Sequence, residues 1–232
     1  MLYGQEQYDG WYNILVAFLG TGCRVSELVG LTWDDVDFNN NTISINHQVH
    51  YGKSAETGKF EKRIETPKSD AGYRTIPIFP EVKTILLEEW QRQKKNGVMC
   101  LDTISGDKVI DKDNHTAKCT LTDFVFLNRF GNCLLPHSTN KAFERIRNSY
   151  NEYERQLAEQ EHREPQEIAH FSNHYLRHTA CTRLCEGTND IAVIKSVMGH
   201  SDIQTTMNIY NEVHDQHKQD VFSALAGKMK IG

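Results

Sequence analysis

Between residues 174 and 210 the chain gathers side chains able to work on a phosphate ester. His174 and Arg177 stand three residues apart, a spacing that sets both on one side of a helix. His200 follows Gly199, and Tyr210 comes later in the same stretch. A guanidinium is a planar fork of donors matched to phosphate oxygens, and it stays charged at any working pH. Imidazole donates hydrogen bonds and moves protons near neutrality. A phenol beside a phosphate is a nucleophile that needs a neighbouring base, because it ionises only near pH ~10. Singly, each residue has a plainer reading: a hydrogen-bonded core histidine, a packed tyrosine, a solvated arginine. Their joint order points to phosphoryl transfer.

Short helices must position these groups. Gly187 ends the helix of His174 and Arg177, Asp190 caps the next, Gly199 closes that one, and Ser201 or Asp202 caps a third carrying Tyr210. Cys181 and Cys185 lie one turn apart and pack inward; His178 and His47 read as hydrogen-bonded core histidines, and His170 as incidental. At the start, residues 8–20 form an amphipathic helix with Trp11, Ile14, Leu15, Phe18 and Leu19 on one side. Gly20 and Gly22 break it, and Arg24 follows on a tight turn into the short helix SELVGL. There Glu27 caps the helix or orients the arginines, and Thr32 caps the turn WDDVDF.

Residues 42–51, 60–67 and 73–78 alternate as strands and predict one small three-stranded antiparallel sheet. Pro80 opens a helix with Val82, Ile85, Leu86 and Trp90 as its apolar stripe. Residues 97–122 read as an insertion, a hairpin suited to contact a partner or DNA; one His and two Cys (His115, Cys100, Cys119) are too thin for a metal set. FVFLNRFGNCLLP gives a short buried strand and a turn. Ser138 then caps a long helix with Phe143, Ile146, Tyr150, Tyr153 and Leu157 inward. Val221, Phe222 and Leu225 make a terminal apolar face, open to the chain's own core or to a neighbouring subunit.

Composition bounds the reading. The 232 residues are 38% hydrophobic and 25% charged, as in a soluble globular domain. No apolar run is long enough to span a bilayer, and MLYGQEQYDG has no signal core, so the expected place is cytoplasmic. Six cysteines without a Cys-x-x-Cys pair read as reduced thiols. A net charge of −5 argues against a wholly basic nucleic-acid surface.

The ordered set His174-x-x-Arg177, Gly199-His200 and Tyr210, inside LRHT and GHSDIQTTMNIY, with Arg24 inside GTGCRVSELVGLTWDDVD, resembles the tyrosine recombinases, the phage-type integrases. The resemblance spans nearly the whole chain, with a gap in the middle. It implies an α+β, mainly α-helical catalytic domain with a small three-stranded antiparallel sheet, a single domain over residues 1–232. It also implies a fragment lacking the N-terminal DNA-binding part, with weak DNA affinity of its own. The site it implies is Arg24 and Arg177 gripping the phosphate, His200 adding a hydrogen bond, His174 as general base, and Tyr210 as nucleophile. Lys68, in ETPKSDAGYRTIPI, takes the place of the family's general-acid lysine on a β-turn, with Lys62 as runner-up; Arg74 contacts phosphate or supports the sheet. No cofactor, metal or ATP is implied. The implied partners are double-stranded DNA, further copies of the chain in a tetramer with tail exchange, and accessory DNA-bending proteins. The implied function is site-specific recombination by a mobile-element integrase. A type IB topoisomerase and a non-catalytic DNA-binding regulator on the same scaffold are the competing readings.

Overall fold

The computed structural model describes residues 6–55, 57–95, 97, 100–111 and 113–226. Its first helix, α1 (Glu6–Thr21), buries Ile14, Ala17 and Phe18. Excluding one such large apolar side chain from water is worth ~1.5–3 kcal/mol. The helix stops where the Thr21 hydroxyl turns back onto the Ala17 carbonyl at 2.6 Å and Gly22 takes φ +61°. A side chain at Gly22 would meet Met198 Sδ at 2.7 Å, so this turn brings the first segment hard against a much later one. Next come α2 (Val25–Gly30) and a 3-10 turn, Trp33–Asp35.

Strand formation departs from the sequence expectation in one respect. The mainly helical α+β class holds, and a three-stranded antiparallel sheet is present, but only two of its strands, within 42–51 and 73–78, come from the predicted segments; 60–67 contributes to a second sheet. Residues 42–51 divide into β2 (Thr42–Ile45) and β3 (Gln48–Lys53). Two buried polar side chains cause the break. Asn46 donates to Asp35 at 3.0 Å, and His47 bridges Asn46 Oδ1 (2.6 Å) and the Gly30 carbonyl (2.7 Å). The chain therefore passes from one sheet to the other. One sheet joins β1 (Val36–Asp37), β2 and β5 (Arg74–Pro77) in the order β1-β2-β5. The second joins β3, β4 (Phe60–Glu65), β6 (Ile104–Val109) and β7 (Thr116–Leu121), with β4 and β6 parallel. Residues 97–122 do form the expected hairpin, β6–β7. It is fastened down by Lys108 on the buried Asp35 (3.0 Å) and by the Lys62–Asp102 ion pair. His115 is engaged by Asp111 within the hairpin turn, apart from Cys100 and Cys119, and no metal-holding cluster forms among the described residues.

Helices supply the rest: α3 (Pro80–Lys95), α4 (Pro136–Gln160), α5 (Asn173–Gly187), α6 (Ile191–Met198) and α7 (Ile203–Ala226). Four further expectations are corrected. Phe124–Leu127 is buried as predicted but makes only isolated bridges, Thr32 to Phe124 and Leu127 to Cys133, because no neighbouring strand runs beside it. Ser138 does not precede α4; Pro136 opens it, and Ser138 sits in the first turn, bonded to the Leu135 backbone. Tyr153 lies 45% exposed, because the inner face of α4 instead carries Asn151 and Glu154, which hold the chain at Ile168 and Gln166. His178 is exposed, outside the buried set Leu176, Arg177, Ala180 and Cys181 of α5. The side chains of Val221, Phe222 and Leu225 lie outside the described residues. Among the described residues no helix is long and apolar enough to cross a membrane.

Candidate active site

The site is organised on the last turn of α6. Asp190 caps this helix, accepting from the N–H groups of Ala192 and Val193 at 3.1 Å each. Gly199 ends it in the left-handed conformation at φ +63°, taking the Lys195 and Ser196 carbonyls. A helix leaves its last carbonyls without partners and carries partial negative charge there. Here three guanidinium groups fill that role. Arg74 Nε donates to the Val197 carbonyl (2.8 Å), Arg177 Nη2 to the Met198 carbonyl, and Arg24 Nη2 to the Gly199 carbonyl (3.0 Å). The three come from β5, α5 and the residue before α2. Arg177 also reaches back to the Gly22 carbonyl at 2.6 Å, tying α5 to the end of α1.

One carboxylate balances this charge. Glu27 accepts from Arg24 Nη1 at 2.9 Å and from Arg74 Nη2 at 2.8 Å, and its other role is to cap α2 through the Arg24 N–H at 2.8 Å. Burial alone would raise its carboxyl, but the bonds and charge of Arg74, with Arg24, reverse the effect and hold it below the usual range. Arg177 is pulled down to about 10 by burial and by the charge of Arg24, so it remains a cation at neutral pH. The exposure of the side chains divides their work: Arg24 is 40% exposed, while Arg74 is 4% and Glu27 2% exposed.

His200, next to the Gly199 cap, bonds Thr206 Oγ1 through Nδ1 at 2.9 Å. Burial, then the charges of Arg177, Arg24 and Arg74, lower it to about 4, so the ring is neutral at pH 7. In the tautomer where the Thr206 hydroxyl donates to Nδ1, the ring's proton sits on Nε2 and can be offered to a ligand oxygen. His174 lies exposed in the first turn of α5. That turn is fixed by Asn173, whose N–H donates to Asn140 Oδ1 (2.9 Å) and whose amide donates to Thr139 Oγ1 (2.5 Å). Tyr210, on α7, is half-buried against Cys181, Cys185, Ile194 and Met198, and its hydroxyl donates to Asn189 Oδ1 at 3.3 Å. Met198, whose carbonyl Arg177 holds, belongs to the apolar cluster on which Tyr210 packs.

The structure therefore draws Arg24, Arg177 and His200 together, with Tyr210 packed against the helix they share. Lys68 stands exposed after β4, with no ion pair or hydrogen bond among the described residues. Its segment links two different sheets and is not the tip of a hairpin, since β4 and β5 do not pair. Lys62 is committed to Asp102. Arg74 supports the fold from a buried position. Thr206 and Asn189 were not singled out from sequence; the signal for Thr206 was a hydroxyl one helical turn before Tyr210, on the same face.

A helical domain with clustered arginines, a neutral histidine and a tyrosine on an adjacent helix defines a catalytic domain of the tyrosine-recombinase kind. Residues 11–217 match the phage integrase family, and the chain belongs to it. It is 29% identical over 205 residues to the transposase from transposon Tn916 of Enterococcus faecalis, covering 88% of this chain and 43% of that protein. A tyrosine recombinase XerC-like protein of Caldanaerobacter subterraneus is 26% identical over 214 residues, 91% of this chain and 47% of its own length. The chain thus spans less than half of both relatives. Among solved structures, a Tn1549 transposon integrase in complex with transposon right end DNA superposes with TM-score 0.66 at 31% identity, covering 89% of this chain and 56% of that one.

Proposed function

We propose that this chain is the catalytic part of a mobile-element integrase that cuts and rejoins double-stranded DNA through a covalent tyrosine link. The observation that carries the reading is the meeting of Arg24 and Arg177 on consecutive carbonyls beside His200, from segments far apart in sequence. A phosphodiester under attack gains charge on its non-bridging oxygens, and preorganised donors aimed there lower the barrier. Arg24, the more exposed of the pair, and Arg177 grip those oxygens; His200 donates from Nε2. His174 takes the phenol proton as Tyr210 attacks phosphorus. The P–O5′ bond breaks, Lys68 protonates the departing 5′-oxygen, and a 3′-phosphotyrosine remains. Attack requires the Tyr210 hydroxyl to leave Asn189. Religation reverses these steps with another strand's 5′-hydroxyl. The covalent link conserves the bond energy, and the arginines supply charge that other nucleases draw from metals, so neither nucleotide nor metal is called for. Likeness to a DNA-bound transposon integrase and to transposases supports duplex DNA and transposition as the setting.

The test is a nicked duplex that traps the cleaved state, read on a denaturing gel. A protein–DNA adduct that Tyr210→Phe abolishes is expected. If the parent forms no adduct on duplexes that it binds, the chain is a DNA-binding regulator instead. Supercoil relaxation without strand transfer would make it a topoisomerase.

A further inference from the structure

The proposed chemistry uses two arginines, yet three meet at the end of α6. We propose that Arg74 is a positioning residue: from beneath the site it sets the places of Arg24 and His200 together, without touching DNA. This rests on the recombination reading for its activity readout.

The geometry is that of a hub. Arg74 Nη2 donates to Glu27 Oε2 (2.8 Å) and Nη1 to Glu27 Oε1 (3.2 Å), and Nη1 also to the Gly72 carbonyl (3.0 Å). Its Nε donates to the Val197 carbonyl at 2.8 Å. One planar group therefore links β5 and the turn before it to α2 and to α6. Glu27, pinned on one side by Arg74, binds Arg24 on the other through both side chain and backbone. Val197 lies three residues before His200, in the helix turn whose Gly199 end packs on Arg74 itself; a Cβ at Gly199 would fall 2.9 Å from Arg74 Nη1. The Arg74 side chain is only 4% exposed, too deep to reach a bound duplex. Its charge also faces His200, with those of Arg177 and Arg24, and Thr206 is the ring's hydrogen-bond partner. Lysine keeps the charge but has no fork, so it cannot satisfy Glu27 and Val197 at once. Methionine removes the charge.

Two variants separate positioning from simple support, each assayed below its unfolding temperature. Arg74→Lys should bind the duplex within about threefold of the parent but form adduct about 10–100-fold more slowly in single-turnover cleavage, the usual cost of displacing a supporting group. In Arg74→Met, or in Arg74→Gln should the first not fold, the His200 imidazole titration followed by NMR should move up, by well under one pH unit because burial, Arg177 and Arg24 each lower it more than Arg74 does. Parental cleavage by folded Arg74→Lys overturns the proposal, as does an unmoved His200 titration. If the parent itself forms no adduct, the proposed function fails, and the His200 titration alone decides the placing of Arg74.

Discussion

In the proposed reaction Arg24 and Arg177 would act through hydrogen-bond geometry as much as through charge. Arg24 spends one nitrogen on Glu27 and one on the Gly199 carbonyl, which fixes the plane of its fork while 40% of the side chain stays open. Lysine would keep the charge and lose that plane. Arg24→Lys is expected to bind DNA within a few-fold of the parent and to lose about 100-fold or more in cleavage, the scale of removing one transition-state donor. Cleavage at the parental rate would remove Arg24 from the site. His200 supplies a second expectation. The folded protein keeps it neutral down to about pH 4, whereas an unfolded chain protonates its histidines near pH ~6.5. The unfolded state therefore binds the extra proton between those values, and stability falls as pH drops from ~6.5 towards 4. Glu27, held below its ordinary range, adds loss in the same direction at the acid end. Urea midpoints at pH 7 and pH 5 should differ less in His200→Asn than in the parent; equal differences would mean that His200 carries no such linkage.

At the scale of elements, the β6–β7 hairpin is a built part of the second sheet. Lys108 and Asp102 clamp it, and Gly106 lies directly on β4: a Cβ there would sit 2.0 Å from the Ile64 carbonyl oxygen. The Ile64 backbone cannot yield to a side chain, so Gly106→Val must part β6 from β4. Faster amide exchange across Thr116–Leu121 is expected, with about 1–3 kcal/mol lost in unfolding, the range for overpacking a closed site. Unchanged protection in those amides would show that the parallel pairing does not hold the hairpin. The helices α5 and α6 behave differently: Asp190 caps α6, α4 holds the start of α5 through Asn140 and Thr139, and their register against α1 comes from Arg177 bridging Gly22 and Met198.

The whole molecule carries −5, and its site cations are partly neutralised by Glu27. Duplex affinity should therefore rest on few phosphates. With about three neutralised, binding should weaken roughly 40-fold between 50 and 200 mM salt. Fluorescence anisotropy on a labelled duplex measures this directly, and a flat salt response would argue against a phosphate-gripping site.

What the residues alone made legible was local. Asp190 as cap, Gly199 as helix stop and the inward packing of Cys181 and Cys185 follow from propensities and spacing that act within a turn or two. The ordered set from Arg24 to Tyr210 was readable only jointly, since each member alone has a plainer reading and their order along the chain carries the resemblance. Hidden from the sequence was everything that depends on which distant backbone atoms meet. The break at Asn46 and His47 needs Asp35 and the Gly30 carbonyl in place before it exists. Arg74 read from sequence as a phosphate contact or a support of the sheet; only packing buries it against Glu27 and turns three separate arginines onto three successive carbonyls. A hydrogen bond is worth most where water is excluded, and tertiary structure alone decides which groups that exclusion reaches.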